Sequence, residues 1–447
     1  MTLQLLPPSL MWNTSNASGG VGLKYEDVAN AGPPAAPLAF PAPQIKPAKR
    51  VLVAVEDHVS GLVHHEKEVI LACSERGQSS AHAYLMKKCL SQCTHGVVRL
   101  AIVLERNVRQ DETRDCPEAE WRSTNNLVCI KVLSSDCLRQ HPSSSSSHPL
   151  HEISALQLVG SYHVNVLGCV EALQDEEELF IVTPYKHGKD LYHKLMGSNR
   201  KARSSRHPSV LPIRKPSKRV AKGWFRDLLQ GLSHLQNKGI CHRNLSLENL
   251  LLDSDGRLVI ADFGFALRVP YTDWRNFGGI ADVSEGSTRR LIVATGHGDN
   301  LNYLAPELHG MPFDGFAVDM WSAGVILFVL LVGRAPFRST KGDDAHYQAI
   351  ARKGQLGPLL QSLNIDIDKE AVDLLQNLLW EDPRLRLNLQ DALAHPWLTL
   401  EEESDDALMS SPVRFDSSGE RKDRHCRMVT IAEESLAHLS LHRMASF

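Results

Sequence analysis

Two short runs in the 447-residue sequence gather side chains of a kind and spacing that chemistry needs. The first is His242-Arg243-Asn244-Leu245-Ser246-Leu247-Glu248-Asn249-Leu250-Leu251-Leu252, and the second is Val259-Ile260-Ala261-Asp262-Phe263-Gly264. Asn249 and Asp262 supply hard oxygens, the donors that magnesium prefers. Asn244 is an amide, which exchanges hydrogen bonds but takes up no proton near neutrality. Far upstream, Lys131 places a cation in the β-branched run Leu127-Val128-Cys129-Ile130-Lys131-Val132-Leu133. Thiolate metal chemistry finds no support. The nine cysteines are scattered without a Cys-x-x-Cys pair, and His58, His64, His65 and Cys73 match no ligand spacing.

The two runs resemble the catalytic loop and the metal-binding Asp-Phe-Gly of eukaryotic protein kinases. Further motifs follow in that family's order. Lys131 ends a Val-x-Ile-Lys strand, Ala305-Pro306-Glu307 closes an activation segment, and Asp319-Met320-Trp321-Ser322-Ala323-Gly324 resembles the Asp-x-Trp-x-x-Gly of the central helix. Asp382-Pro383-Arg384-Leu385-Arg386 precedes the last helix, and the stretch from Ala371 through His395-Pro396-Trp397-Leu398 is most similar to the calcium/calmodulin-dependent branch. The resemblance covers residues 85 to 399 and implies an α+β, bilobal fold. A small β-rich N-lobe (85–185) and a larger, mainly helical C-lobe (186–399) would hold a nucleotide between them.

The resemblance also implies roles, all of them charge placement around a triphosphate. Lys131 would neutralise the phosphates of ATP, while Asn249 and Asp262 would hold Mg2+. Glu152 is expected to hold Lys131, because Glu152-Ile153 with Leu156 and the later His163-Val164-Asn165-Val166 resembles the family's helix C and the strand after it. Val98, Cys129 and Leu251 would sandwich the adenine. Leu179-Phe180-Ile181-Val182-Thr183-Pro184-Tyr185 would run into the hinge, with Thr183 as gatekeeper. Cys129, where the family has Ala, reads as a small buried hydrophobe. Phe263, His242, Leu156 and Asp319 would form a packed column, and Glu307 with Arg386 a buried ion pair.

Several positions depart from the family. The glycine-rich loop aligns with Leu90-Ser91-Gln92-Cys93-Thr94-His95-Gly96-Val97-Val98 and keeps only Gly96, so Ser91 and Cys93 predict a stiffer phosphate cover. Asn244 stands where the family has the Asp that accepts the substrate hydroxyl proton, and Ser246 replaces the Lys that contacts the transferred phosphate. Retained nucleotide groups beside altered transfer groups resemble a pseudokinase; the alternative is an active but slow Ser/Thr protein kinase. In the activation segment, Asp299-Asn300-Leu301-Asn302-Tyr303 lacks the usual hydroxyl, so that Asp299 is either a substitute fixed negative group or, as loop carboxylates more often are, simply solvated. Thr295, Thr288 and Ser287 are nearby phosphorylation candidates, and Arg289-Arg290 reads as a solvated pair.

The elements that must position these groups come as strands first and helices second. Val97–Leu104 and Leu127–Leu133 read as strands; Trp224–Asn237, Val318–Val332, Lys369–Trp380 and Asn388–His395 carry helical spacing. Residues 1–50 form a Pro/Ala-rich leader expected to be disordered, 51–84 an N-terminal extension, and 400–447 an acidic, Ser-rich mobile tail. Residues 106–125, 142–148 and 198–219 read as surface loops. The last is strongly basic, with no acid from Arg200 to Lys222, and suits either an acidic partner or plain solvation. No aromatic residue interleaves it, which argues against nucleic acid. A net charge of -3 gives no global basic field. The apolar run Ala323–Val332 is too short for a bilayer, and no secretory signal opens the chain, so cytoplasm or nucleus is expected. The implied partners are ATP and a protein, as substrate or as allosteric partner.

Overall fold

Period-two burial organises the first half of the chain. In β5 (Trp121–Ser134) Val128, Ile130 and Val132 are buried, whereas Cys129 and Lys131 are only partly so. The computed structural model describes residues 24–73, 79–93, 96–107, 119–136, 149–197, 213–273, 279–284, 287–294, 296, 300–340 and 342–400. Six further strands join β5: β1 (Lys46–Glu56), β2 (Val63–Cys73), β3 (Ser79–Cys93), β4 (Gly96–Arg106), β6 (Glu171–Gln174) and β7 (Glu178–Pro184). They close into a barrel in the order β1-β2-β3-β4-β5-β7-β6. Ile70, Tyr84, Ala101, Ile130, Val132, Phe180 and Val182 fill its interior. Between β5 and β6 lies helix α2 (Pro149–Val159), after helix α1 (Tyr25–Asn30) near the start of the described chain.

Two boundaries differ from the sequence reading. The N-terminal residues expected to be a disordered leader are ordered from Lys24: α1 forms, Val28 and Ala35 are buried, and β1 starts at Lys46. Prolines mislead here, because restricted chain docks at little entropic cost. Likewise, residues 51–84 are no separate extension, since β2 pairs with β3 through Ile70↔Tyr84 and belongs to the same barrel. The polar run expected as a loop over 106–125 gives way to β5 at Trp121, where buried Trp121 and Ser123 alternate with exposed Arg122.

The second lobe is helical. Its main elements are α3 (Lys218–Asn237), α4 (Gly315–Val332) and α5 (Lys369–Leu378). Ser217 caps α3, its Oγ accepting from the Val220 N–H at 3.4 Å, and Asp314 caps α4 through the Phe316 N–H at 3.0 Å. Gly333, at φ 86°, ends α4 in the left-handed region that glycine tolerates. By length and composition α4 could cross a membrane, yet it is buried along nearly its whole length in the core of this lobe. The basic run ends inside α3 instead of in a loop: Lys218 pairs with Asp368 at 2.9 Å, and Lys222 Nζ donates to the Leu400 carbonyl at 3.0 Å. Residues 198–212 of it, the run 142–148 and the tail from 401 lie outside the described residues.

Candidate functional site

Strand register brings the expected N-lobe residues onto one face. Val98 pairs with Lys131, Leu100 with Cys129, and Cys129 with Thr183. Ser91 pairs with Val98 and Cys93 with Gly96. Opposed residues share a face, as do residues two apart, so Ser91, Cys93, Gly96, Val98, Cys129, Lys131 and Thr183 all sit on the side opposite the barrel interior. Ser91 is exposed and Cys93 partly buried. Gly96 has a further constraint: a Cβ there would lie 1.9 Å from the Val132 carbonyl oxygen, so β4 crosses β5 only as glycine. Burial pushes the Cys129 thiol up to about 11, consistent with an inert, space-filling side chain. The Tyr185 N–H donates to the Leu127 carbonyl at 3.3 Å, continuing β7 into the connection between lobes.

Helix α2 supplies the carboxylate. Lys131 Nζ donates to Glu152 Oε2 at 2.6 Å, and both side chains are largely enclosed. Burial opposes the lysine's charge, but Glu152 and Asp262 outweigh it and hold the ammonium well above its ordinary range. A strand, a helix and a loop far apart in sequence thus converge on one partly buried cation.

The loop from His242 to Asn249 is held from below. The buried Asp319 carboxylate on α4 accepts the His242 N–H at 2.7 Å and the Arg243 N–H at 2.8 Å. His242 Nδ1 accepts the Asn244 N–H at 3.3 Å, so its Nε2 is the donor to the Ala261 carbonyl at 3.1 Å. Burial lowers this imidazole to about 4, which fits a neutral ring used as a staple. Its centroid lies 5.1 Å from that of Phe263, and Phe263, His242, Leu156 and Asp319 are all buried. Arg243 and Asp262 adopt φ of 63° and 65°, a conformation that non-glycine residues hold only when the surroundings fix it.

Above this frame the polar groups face one another. Asn249 Nδ2 donates to the Asn244 carbonyl at 2.7 Å, which leaves Oδ1 as the hard oxygen that could take a cation. Asp262 Oδ1 accepts the Gly264 N–H at 3.3 Å, and its Oδ2 faces Asn244 Nδ2 at 3.5 Å. The oxygens of Asn249 and Asp262, with Lys131 close enough to feel the Asp262 charge, fit a divalent cation and a polyphosphate. Leu251, partly buried, packs with Val259, Ala261 and Leu167 beneath the cleft. Ser246 is fully buried, and its Oγ accepts from Asn300 Nδ2 at 2.9 Å. Sequence reasoning noted Asn300 only as a missing hydroxyl; its partnership with Ser246 needed the fold.

Among the described residues, two ion pairs buried on both sides brace the activation segment. Arg386 meets Glu307 at 2.6 and 3.2 Å, the expected buried pair. The second was missed: Arg289, expected to be solvated with Arg290, is buried and grips Asp314 at 2.8 and 3.0 Å, while Arg290 is buried as well. A charged doublet in a polar run gives no local sign of burial. Ser287 is buried, its Oγ donating to the Ser284 carbonyl at 2.6 Å. Thr295 and Asp299 lie outside the described residues.

Comparison with known proteins accords with this geometry. Residues 115–398 match the protein kinase domain family. The chain belongs to that family. The kinase domain is 31% identical over 287 residues to the probable serine/threonine-protein kinase KCC4 of Saccharomyces cerevisiae, covering 63% of this chain and 24% of that one. It is 34% identical over 248 residues to the yeast serine/threonine-protein kinase GIN4, with 55% and 18% covered. It is 28% identical over 316 residues to the human serine/threonine-protein kinase DCLK3, with 70% and 42% covered. The chain thus spans less than half the length of these relatives. The matched region begins at 115, so β1 to β4 lie before it.

Proposed function

We propose that the interlobe cleft binds ATP with Mg2+ and that phosphoryl transfer to protein Ser/Thr is impaired, so that the kinase domain acts as a signalling pseudokinase. The observation that carries this reading is the contrast between the 2.6 Å Lys131–Glu152 pair and the amide of Asn244 beside Asp262. Lys131 holds the α- and β-phosphates, Glu152 fixes Lys131, and Asn249 and Asp262 hold the cation. The cation supplies charge neutralisation between phosphates when bound. Val98, Cys129, Thr183, Tyr185 and Leu251 line the adenine end, with Ser91, Cys93 and Gly96 over the phosphates. Asn244 positions a hydroxyl by hydrogen bonding but removes no proton, and Ser246 brings no charge to the transferred group. General-base positioning contributes about 10² to 10⁴ in rate, roughly 3 to 5.5 kcal/mol.

A slow Ser/Thr kinase is the second reading, favoured by the intact Lys131–Glu152 pair, because a loose phosphoryl-transfer transition state depends chiefly on positioning. The test is a melting series with ATP and Mg2+ beside a radiolabelled transfer assay. Magnesium-dependent stabilisation without transfer supports the pseudokinase, and transfer by the unaltered protein supports the slow enzyme. A flat melting temperature across millimolar nucleotide sinks both.

A further inference from the structure

The segment before β1 touches both parts of the kinase domain whose placement decides whether the cleft is assembled. At its lower end it lies along the activation segment. Thr272 Oγ1 donates to the Ala31 carbonyl at 2.6 Å, the Ala35 N–H to Leu291 O at 2.9 Å, and the Val293 N–H to Ala35 O at 2.8 Å. Further up, the Leu38 N–H donates to Arg268 O at 3.0 Å, and Arg268 Nη1 to Ala39 O at 2.6 Å. The chain then reaches α2. The Phe40 ring meets His151 in a T-shaped contact with centroids 4.7 Å apart, and His151 Nε2 lies 2.6 Å from the Ala266 carbonyl. Gln157 reads the backbone of Gln44 reciprocally, its Oε1 accepting the Gln44 N–H at 2.8 Å and its Nε2 donating to the Gln44 carbonyl at 2.7 Å. Finally Lys46 Nζ donates to Glu171 Oε2 at 2.8 Å and enters the barrel.

We propose that residues 31–46 form a strap that positions α2, and with it Glu152, against Lys131, with Phe40 and Gln157 as the positioning residues. His151 immediately precedes Glu152, and Gln157 follows it on the same helix, so the strap grips α2 on both sides of the carboxylate along the chain. Pro33, Pro34, Pro37, Pro41 and Pro43 restrict the free segment, which lowers the entropy lost on docking. At the activation segment Arg243 is held by backbone and an aromatic ring, although its Nε has no hydrogen-bond partner among the described residues. The Arg243 guanidinium donates to the carbonyls of Gly296 and Phe265 and lies over Phe313 at 5.3 Å. The strap therefore makes assembly of the Lys131–Glu152 pair a property of the chain itself. Its effect on nucleotide rests on the ATP-binding reading above, whereas its effect on α2 does not.

The test uses the full chain and two readouts, hydrogen exchange of residues 149–159 without ligand and the Kd for ATP with Mg2+. In the Phe40→Ala/Gln157→Ala variant, α2 amides are expected to lose about tenfold of their protection. The Kd is expected to rise about tenfold, because the competent arrangement becomes a minor fraction. Phe40→Tyr, which keeps the ring, retains both values. Gln157→Glu, which keeps the size but sets a carboxylate oxygen against the Gln44 carbonyl, moves both in the same direction by less. Leu378→Ala, a cavity in α5 remote from the strap, lowers the melting temperature without changing Kd. The proposal is overturned if α2 exchange is unchanged in the double variant and in Gln157→Glu, or if Leu378→Ala raises Kd as much as they do. Should the unaltered protein bind no nucleotide, the ATP reading falls while α2 exchange still decides the strap.

Discussion

The two halves of the cleft are built from opposite materials. On the nucleotide side, a largely enclosed ammonium meets Glu152 at 2.6 Å with the Asp262 charge nearby, so that charges are held by charges. On the acceptor side, Asn244, Ser246 and Asn300 are themselves neutral: Asn300 donates to Ser246, and Asn244 faces the Asp262 carboxylate. A buried charge must be paired to be tolerated, whereas a neutral network need only be hydrogen-bonded. The acceptor side therefore holds its shape with neutral side chains at Asn244, Ser246 and Asn300. A neutral acceptor side is thus compatible with the fold, and an intact outline is no measure of turnover.

The widest test of this contrast is Asn244→Asp. The change is nearly isosteric and should raise transfer of radiolabelled phosphate by about 10² or more, with the gain depending on Asp262. If the variant binds nucleotide yet transfers nothing, Ser246 or the lost glycines share the deficit, and the contrast extends beyond one residue. Next comes the frame common to both halves. Arg386→Ala leaves Glu307 buried without its partner and should cost about 3 to 5 kcal/mol in denaturant unfolding. A loss below 1 kcal/mol would mean that the activation segment is braced elsewhere, with the Arg289–Asp314 pair first in line.

On the nucleotide side alone, Lys131→Met should abolish the stabilisation by ATP and Mg2+, which by mass action is about 2.7 kcal/mol at a hundredfold excess over Kd. Asn244→Asp should leave that shift nearly intact; a large change would break the independence of the two halves. The smallest effect concerns the barrel behind Lys131. Burial alone would raise the Glu171 carboxyl, but hydrogen bonds from His82, Lys46 and Tyr84 outweigh it and lower the group from 4.5 to about 2. Because the folded value lies below the unfolded one, the unfolded chain binds more protons as acid is added. This contribution is complete above pH 4.5 and is lost as pH falls toward 2, and Glu171→Gln should flatten that part of the acid-unfolding curve.

Much of the site was legible because kinase motifs are local. His242 to Asn249 and Asp262 to Gly264 each lie within one loop, and the β-branched alternation around Lys131 fixes which face it takes. Glu152 was reachable through Leu156 and the downstream His163-Val164-Asn165-Val166. What stayed hidden depends on partners distant in sequence. Arg289 pairs with Asp314 only because the activation segment folds back on the cap of α4, and Ser246 meets Asn300 across 54 residues. The strap was hidden for another reason. Its residues have no period to read, and its contacts are made largely by backbone carbonyls and amides that composition cannot reveal.

The closed barrel carries one more consequence. A sheet of five strands has two open margins, each a row of unsatisfied amides and carbonyls on which another chain can add itself as a strand. Here β2 takes the β3 margin through Ile70↔Tyr84, and β1 takes the β6 margin through Lys46↔Leu173. The hairpin before the matched region occupies part of each margin at once. Strand addition at Ser79–Tyr84 of β3 and at Leu173–Gln174 of β6 is therefore already taken by the chain's own β2 and β1.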